Sequence, residues 1–157
     1  MIGLIIAIIA VNFTVFKINK LLTKTQILNI WTFTMSFQTG FDIFVSVKYH
    51  GYWYFERDTI EWSDILPHLL LVPAVNIIFL NGYPFGKSLM KQLLYFAFWT
   101  IGILIYEIIA LVPEPWGYFR YGWWNLWYSV ILDPILLFIL LSYYKLICKF
   151  DTQPISK

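Results

Sequence analysis

The chain has 157 residues, 60% hydrophobic and only 13% charged, with a net charge of +2. A soluble domain carries roughly a quarter charged residues. A chain this short could not cover so much apolar surface with polar side chains, so the composition excludes an ordinary soluble domain and points to a bilayer. The small net charge offers nothing to nucleic acid, and the single cysteine, Cys148, rules out an intrachain disulfide.

Five apolar stretches follow one another along the chain. The first runs from Met1 to about Phe16, short of the ~20 residues that cross a bilayer. It reaches that length by continuing to Leu22, with Lys17 and Lys20 extending to the headgroups. Its lysines follow the apolar run, whereas a cleaved signal peptide carries positive charge before it. This segment is therefore expected to be an uncleaved anchor with its N-terminus outside.

The second span covers about 27–47. Within it Thr34, Gln38, Asp42 and Ser46 recur every four residues, which places them on one helical face. An aromatic loop follows, Tyr49 to Arg57, and then the acidic residues Glu56, Asp58, Glu61 and Asp64. Ser63 and Asp64 are good caps for the third span, about 65–83, with Pro67 in its first turn. Pro73 within that span should free the carbonyl of Leu69, which a neighbouring helix must then satisfy. Gly82 and Pro84 close it.

The fourth span, about 93–112, carries Glu107 and ends at Pro113 and Pro115. A second aromatic loop, Trp116 to Trp124, leads into the fifth span, about 124–147, where Asn125, Ser129 and Asp133 form another four-residue stripe. Pro134 should free the carbonyl of Val130 there. The chain thus reads as a single transmembrane domain over 1–150 with a short cytoplasmic tail at 151–157.

Alternate loops divide the cationic residues. Lys17, Lys20, Lys24, Lys87, Lys91, Lys145, Lys149 and Lys157 fall on one side, and Lys48, Arg57 and Arg120 on the other. Cytoplasmic loops hold the excess of Lys and Arg. The expected fold is an all-α integral membrane protein, a bundle of five transmembrane helices with the N-terminus outside and the C-terminus in the cytoplasm, in a cell membrane.

A charged side chain at the bilayer centre costs about 2.5–3.5 kcal/mol on insertion scales, so such groups face other helices or a wet cavity. At a rise of about 1.5 Å per residue, Asp42 and Glu107 lie about 7–8 Å below the outer boundary and Asp133 about 13–14 Å below it. His68 starts the third span on the same side. The candidate intramembrane polar site is Asp42, His68, Glu107, Asn125, Ser129 and Asp133, with Gln38 and Asn76 in support. Two readings stay open: separate hydrogen-bonded pairs that lock the helices in register, or an outward-facing site for a cation, a proton or a polar ligand.

Trp53, Trp116, Trp123 and Trp124 mark an outer aromatic rim. An interfacial belt explains it. Aromatics beside carboxylates also suit a cationic or sugar-like ligand, and the loops could fold over the helix ends as a lid.

Several pieces of the chain then line up with a known group: Tyr54-Phe55-Glu56; Pro73 in an apolar span; Lys91-Gln92-Leu93-Leu94-Tyr95 with Trp99 and Glu107; Gly122-Trp123-Trp124-Asn125-Leu126-Trp127-Tyr128-Ser129; and Tyr143-Tyr144-Lys145. From Tyr54 to Leu146 the chain resembles an uncharacterised family of small multi-spanning membrane proteins from Gram-positive bacteria. The resemblance implies architecture and no activity, and Asp133 is less typical of it than Glu107 or Asn125.

No catalytic constellation, cofactor motif or metal-ligand spacing stands out, and His50 and His68 are a poor pair for haem. The leading expectation is a non-enzymatic polytopic protein, a structural or accessory subunit or a small-ligand binder, with lipid and a second membrane chain (its own copy or another subunit) as partners. The alternatives are a cation- or proton-coupled transport component, and a membrane enzyme using Glu107 or Asp133 as acid or base with His68 assisting.

Overall fold

The computed structural model describes residues 1–57 and 61–151. Asp58 and the end of the tail, 152–157, lie outside the described residues. Five helices follow the five apolar stretches: α1 (Ile2–Ile18), α2 (Lys24–Asp42), α3 (Trp62–Gly82), α4 (Leu89–Ala110) and α5 (Leu126–Asp151). Two short strands, β1 (Tyr52–Tyr54) and β2 (Phe119–Tyr121), interrupt them. Three helices, α3, α4 and α5, are long and apolar enough to cross a membrane. At 17 residues α1 is apolar but shorter, and the polar stripe of α2 lowers its apolar character.

Local signals explain the boundaries. Thr23 and Gln26 cap α2 reciprocally: the Thr23 hydroxyl accepts from the Gln26 N–H at 3.2 Å, and the Gln26 side chain accepts from the Thr23 N–H at 3.2 Å. Beyond Asp42 the helix widens into a π-helical stretch, Ile43–Lys48, and stops at His50, whose φ of 50° turns the chain left-handed. α3 starts a turn earlier than Ser63 and Asp64 suggest as caps. Glu61 holds the cap position and Asp64, at 2.9 Å, reaches back to its N–H. Pro67 consequently sits inside the helix, at the start of a second π-helical stretch, Pro67–Leu71. A proline there cannot donate to the preceding turn.

The carbonyl that Pro73 frees is satisfied by a neighbouring helix: the Trp31 indole of α2 donates to the Leu69 oxygen at 2.9 Å. Asn12 of α1 donates to the next carbonyl, Leu70, at 3.0 Å. The carbonyls ahead of Pro73 are thus held from two sides. A Trp31→Phe chain should lose about 1–3 kcal/mol, the cost of a buried carbonyl without a partner. Thermal unfolding in detergent reads this directly, and an unchanged midpoint would show that the bond contributes nothing.

α3 is the central helix. It packs against α1 and α2 and touches α5, and Pro73, Ala74, Ile77, Phe79 and Leu80 are fully enclosed. Phe79 is ringed by Tyr83, Tyr95, Phe96 and Trp99. α4 is peripheral. It runs along α5 and leaves an apolar face of Leu94, Phe98, Ile101, Ile105 and Ile108 exposed.

Chain order places Lys17, Lys20, Lys24, Lys87, Lys91, Lys145 and Lys149 at one end of the bundle and both strands at the other. These are called below the lysine end and the ribbon end.

At the ribbon end, the loop after α2 and the loop after α4 pair as an antiparallel two-stranded ribbon, in the register Tyr52 with Tyr121, Trp53 with Arg120 and Tyr54 with Phe119. Side chains alternate across a strand. Tyr52, Tyr54, Phe119 and Tyr121 therefore share one face and Trp53 and Arg120 the other. The first face lies against the helices. On the second, Arg57 stacks over the Trp53 ring at 5.4 Å, while Arg120 donates to the Leu111 and Val112 carbonyls at the end of α4.

Candidate functional site

The inner face of the ribbon meets the intramembrane carboxylates. Asp42, in the last turn of α2, is buried and pairs with His68 of α3, with 2.7 Å between Asp42 Oδ2 and His68 Nε2. Its other oxygen accepts from the Tyr52 hydroxyl. The Tyr54 ring stands edge-on to the imidazole, with 5.2 Å between centroids. One strand thus covers a carboxyl–imidazole contact that joins two helices.

The neighbouring strand does the same for Glu107. Its Oε1 accepts from the Tyr121 hydroxyl at 2.6 Å and from the Ser129 hydroxyl at 2.8 Å. Ser129 accepts in turn from the Trp124 indole at 3.0 Å. Because Tyr52 and Tyr121 are cross-strand partners, the donors to the two carboxylates sit side by side.

The phenols are fixed as donors. Burial, then the charge of Asp42 and the hydrogen bond to it, hold Tyr52 well above the ordinary tyrosine range. Burial, then the hydrogen bond to Glu107 and the charges of Glu107 and Asp133, do the same for Tyr121. Both remain protonated at any physiological pH.

Asp133 belongs with Glu107. Both line a chamber of about 180 Å³ beneath the ribbon, walled by Tyr52, Tyr106, Tyr118, Trp124 and Ser129. Asp133 Oδ2 is enclosed and has no hydrogen-bond partner among the described residues. Gln38, Ile103, Tyr106 and Asp133 also line a second cavity of about 490 Å³, which runs on between α2, α3, α4 and α5 and is walled chiefly by Phe33, Val75, Phe98, Trp99 and Leu140. The two spaces adjoin and share part of their wall.

The stripe on α2 therefore faces inward: Thr34 is buried, Gln38 lines both spaces and Asp42 is buried. Asn76 lines the larger cavity and donates to the Thr34 hydroxyl at 3.0 Å. The stripe on α5 is shorter than its spacing implies. Ser129 and Asp133 reach the site, but Asn125 precedes the helix, is exposed, and accepts from the Trp127 N–H at 3.0 Å as a cap.

The rim tryptophans also divide. Trp53, Trp116 and Trp123 lie outside the site, Trp123 donating to the Tyr49 carbonyl. Trp124 is buried within it. Sequence reasoning missed Tyr52, Tyr106, Tyr118 and Tyr121: Tyr52 and Tyr121 donate to the carboxyl groups, and Tyr106 and Tyr118 share a bond of 3.0 Å. For Tyr121 the one local signal was the alternation in Phe119-Arg120-Tyr121, too short to mark a strand by itself.

The described residues contain no group of His, Cys, Asp and Glu that could hold a metal ion. Comparison with protein families, with curated proteins and with solved structures gave no match for this chain.

Proposed function

We propose that the chain is a multi-pass membrane protein, with its ribbon end outside and its lysine end in the cytoplasm, that binds a small cationic ligand between Glu107 and Asp133. The orientation follows from the lysines at one end and the aromatic, acidic loops at the other. One observation carries the ligand reading: two carboxyl groups line a single chamber, and among the described residues lining either space there is no Lys, Arg or His. Two carboxyl groups held in a low-dielectric wall lack a counter-charge, and a cation supplies it.

The Asp42–His68 pair has a different role. Its carboxylate and imidazole meet at 2.7 Å and stitch α2 to α3 under β1, so the structural reading of polar residues in membranes applies to it. The site proper is Glu107, Asp133, Ser129, Tyr121 and Gln38.

Calorimetric titration of the detergent-solubilised chain with butylammonium, butanol and butyrate tests this reading. Saturable heat is expected from the ammonium alone, and it should vanish in a Glu107→Gln/Asp133→Asn chain. Equal heats from all three probes, or binding that survives the double substitution, would overturn it.

A further inference from the structure

We infer that the ligand is a single-chain cationic amphiphile that reaches the chamber sideways from the hydrocarbon of the bilayer. This inference rests on the cation reading above and adds two things to it, an apolar tail and a route.

The tail follows from how polarity is distributed. The chamber under the ribbon holds Glu107, Asp133, Ser129 and the tyrosines. The adjoining space of about 490 Å³ has Thr34, Gln38, Asn76 and Asp133 as its polar lining, with Thr34 and Asn76 bonded to each other, and its remaining wall is almost wholly aliphatic and aromatic. A volume of that size is typical of sites that enclose a small molecule, and its lining would be poorly matched by a hydrated ion alone. From Asp133 to Leu140 the wall on α5 extends about 10 Å along the helix axis, away from the carboxylates and toward the lysine end. A head at Glu107 and Asp133 with a hydrocarbon tail lying along Trp99 and Leu140 satisfies both chemistries at once.

The route follows from α4. Near the lysine end its Tyr95, Phe96 and Trp99 clasp Phe79 of α3. Near the ribbon end its Ala110, with Tyr106 beside it, packs in a cluster with Leu4, Leu71 and Tyr118. Between these two contacts the cavity separates α4 from α3, and Phe98 and Gly102 line it while also lying on the molecular surface. Phe98 is 72% exposed, and a Cβ added at Gly102 would meet nothing within 4 Å. This mouth lies about midway along α4. In a bilayer it faces acyl chains, which admit an amphiphile and exclude a free ion. On the ribbon side the buried Tyr52, Tyr118 and Trp124 form part of the chamber's wall.

The test uses dodecylammonium brominated along its chain, added to the full-length protein in phospholipid nanodiscs, with tryptophan fluorescence as the readout. Bromine near Trp99 quenches its emission. The expected result is a saturable component of quenching that is lost in Trp99→Phe and in Glu107→Gln/Asp133→Asn, and lost in Gly102→Phe, which fills the mouth without touching a carboxylate. Brominated dodecyl sulfate, with the same tail and the opposite charge, should give only the non-saturable quenching of lipid-facing tryptophans. Gly102 lies mid-helix, where replacing glycine favours the helix, so that variant stays folded. If butylammonium binds in calorimetry but the brominated amphiphile shows no saturable component, the amphiphile inference falls and the cation reading stands. If neither binds, both fall. Saturable quenching that persists in Trp99→Phe, or that the sulfate reproduces, also overturns the inference.

Discussion

An Asp42→Ala chain is expected to lose about 3–5 kcal/mol of stability, the range found when one partner of a buried pair is removed. The pair is enclosed, with side-chain exposures of 11% for His68 and 10% for Asp42. The substitution leaves the His68 Nε2 without its 2.7 Å partner and the Tyr52 hydroxyl without an acceptor. It therefore affects two helices and a strand together. A chain carrying Asp42→Leu and His68→Leu should recover most of the loss, because replacing a whole buried pair by apolar groups is often neutral. Chemical unfolding in micelles, followed by helical circular dichroism, separates these outcomes. A single variant as stable as the parent would mean that the pair does not hold α2 to α3.

Gly122→Val should be the most damaging change in the ribbon. The Gly122 N–H donates to the Gly51 carbonyl at 2.8 Å, and the Trp124 N–H donates to the same oxygen at 3.0 Å. A Cβ on Gly122 would be forced against the His50 carbonyl oxygen, a backbone atom that cannot rotate away. Overpacking of this kind costs about 1–3 kcal/mol, and breaking the junction frees both backbone bonds besides. Hydrogen exchange at residues 52–54 and 119–121 should accelerate, with the lysine end unaffected. Gly40 is the control. A Cβ there meets nothing within 4 Å, so Gly40→Ala within α2 should stabilise by about 0.5–1 kcal/mol. Equal effects at the two glycines would contradict the close packing of the loops.

The five helices were legible because apolar length is a one-dimensional signal, and the same holds for the proline effect at Leu69, since a proline at 73 dictates which carbonyl is freed. The identity of the donor, Trp31, was not legible, because it depends on how α2 lies against α3. The ribbon was hidden for a related reason. Its strands are three residues each, are separated by two helices, and sit in loops whose aromatic richness a membrane interface also explains.

The four-residue spacing placed Asp42, Ser129 and Asp133 toward the interior. It misplaced Asn125, because a periodic pattern does not reveal where a helix begins and an asparagine just before the first turn is a cap. Convergence was only partly foreseeable. The four ionisable groups do gather at one end, but they divide into a closed pair, Asp42 with His68, and an open one, Glu107 with Asp133. That division is made by the tyrosines of the ribbon, which no local pattern linked to either carboxylate.

The central claim is that Glu107 and Asp133 line a chamber reached from hydrocarbon and closed to water at the ribbon. Two carbodiimides test it most directly, applied separately to the protein reconstituted in lipid vesicles and followed by peptide mass mapping. Lipid-soluble dicyclohexylcarbodiimide should modify Glu107 or Asp133, and a membrane-impermeant, quaternary-ammonium carbodiimide should leave both intact while reacting with exposed acidic residues of the loops. Modification of Glu107 or Asp133 by the water-borne reagent, or by neither, would contradict the account.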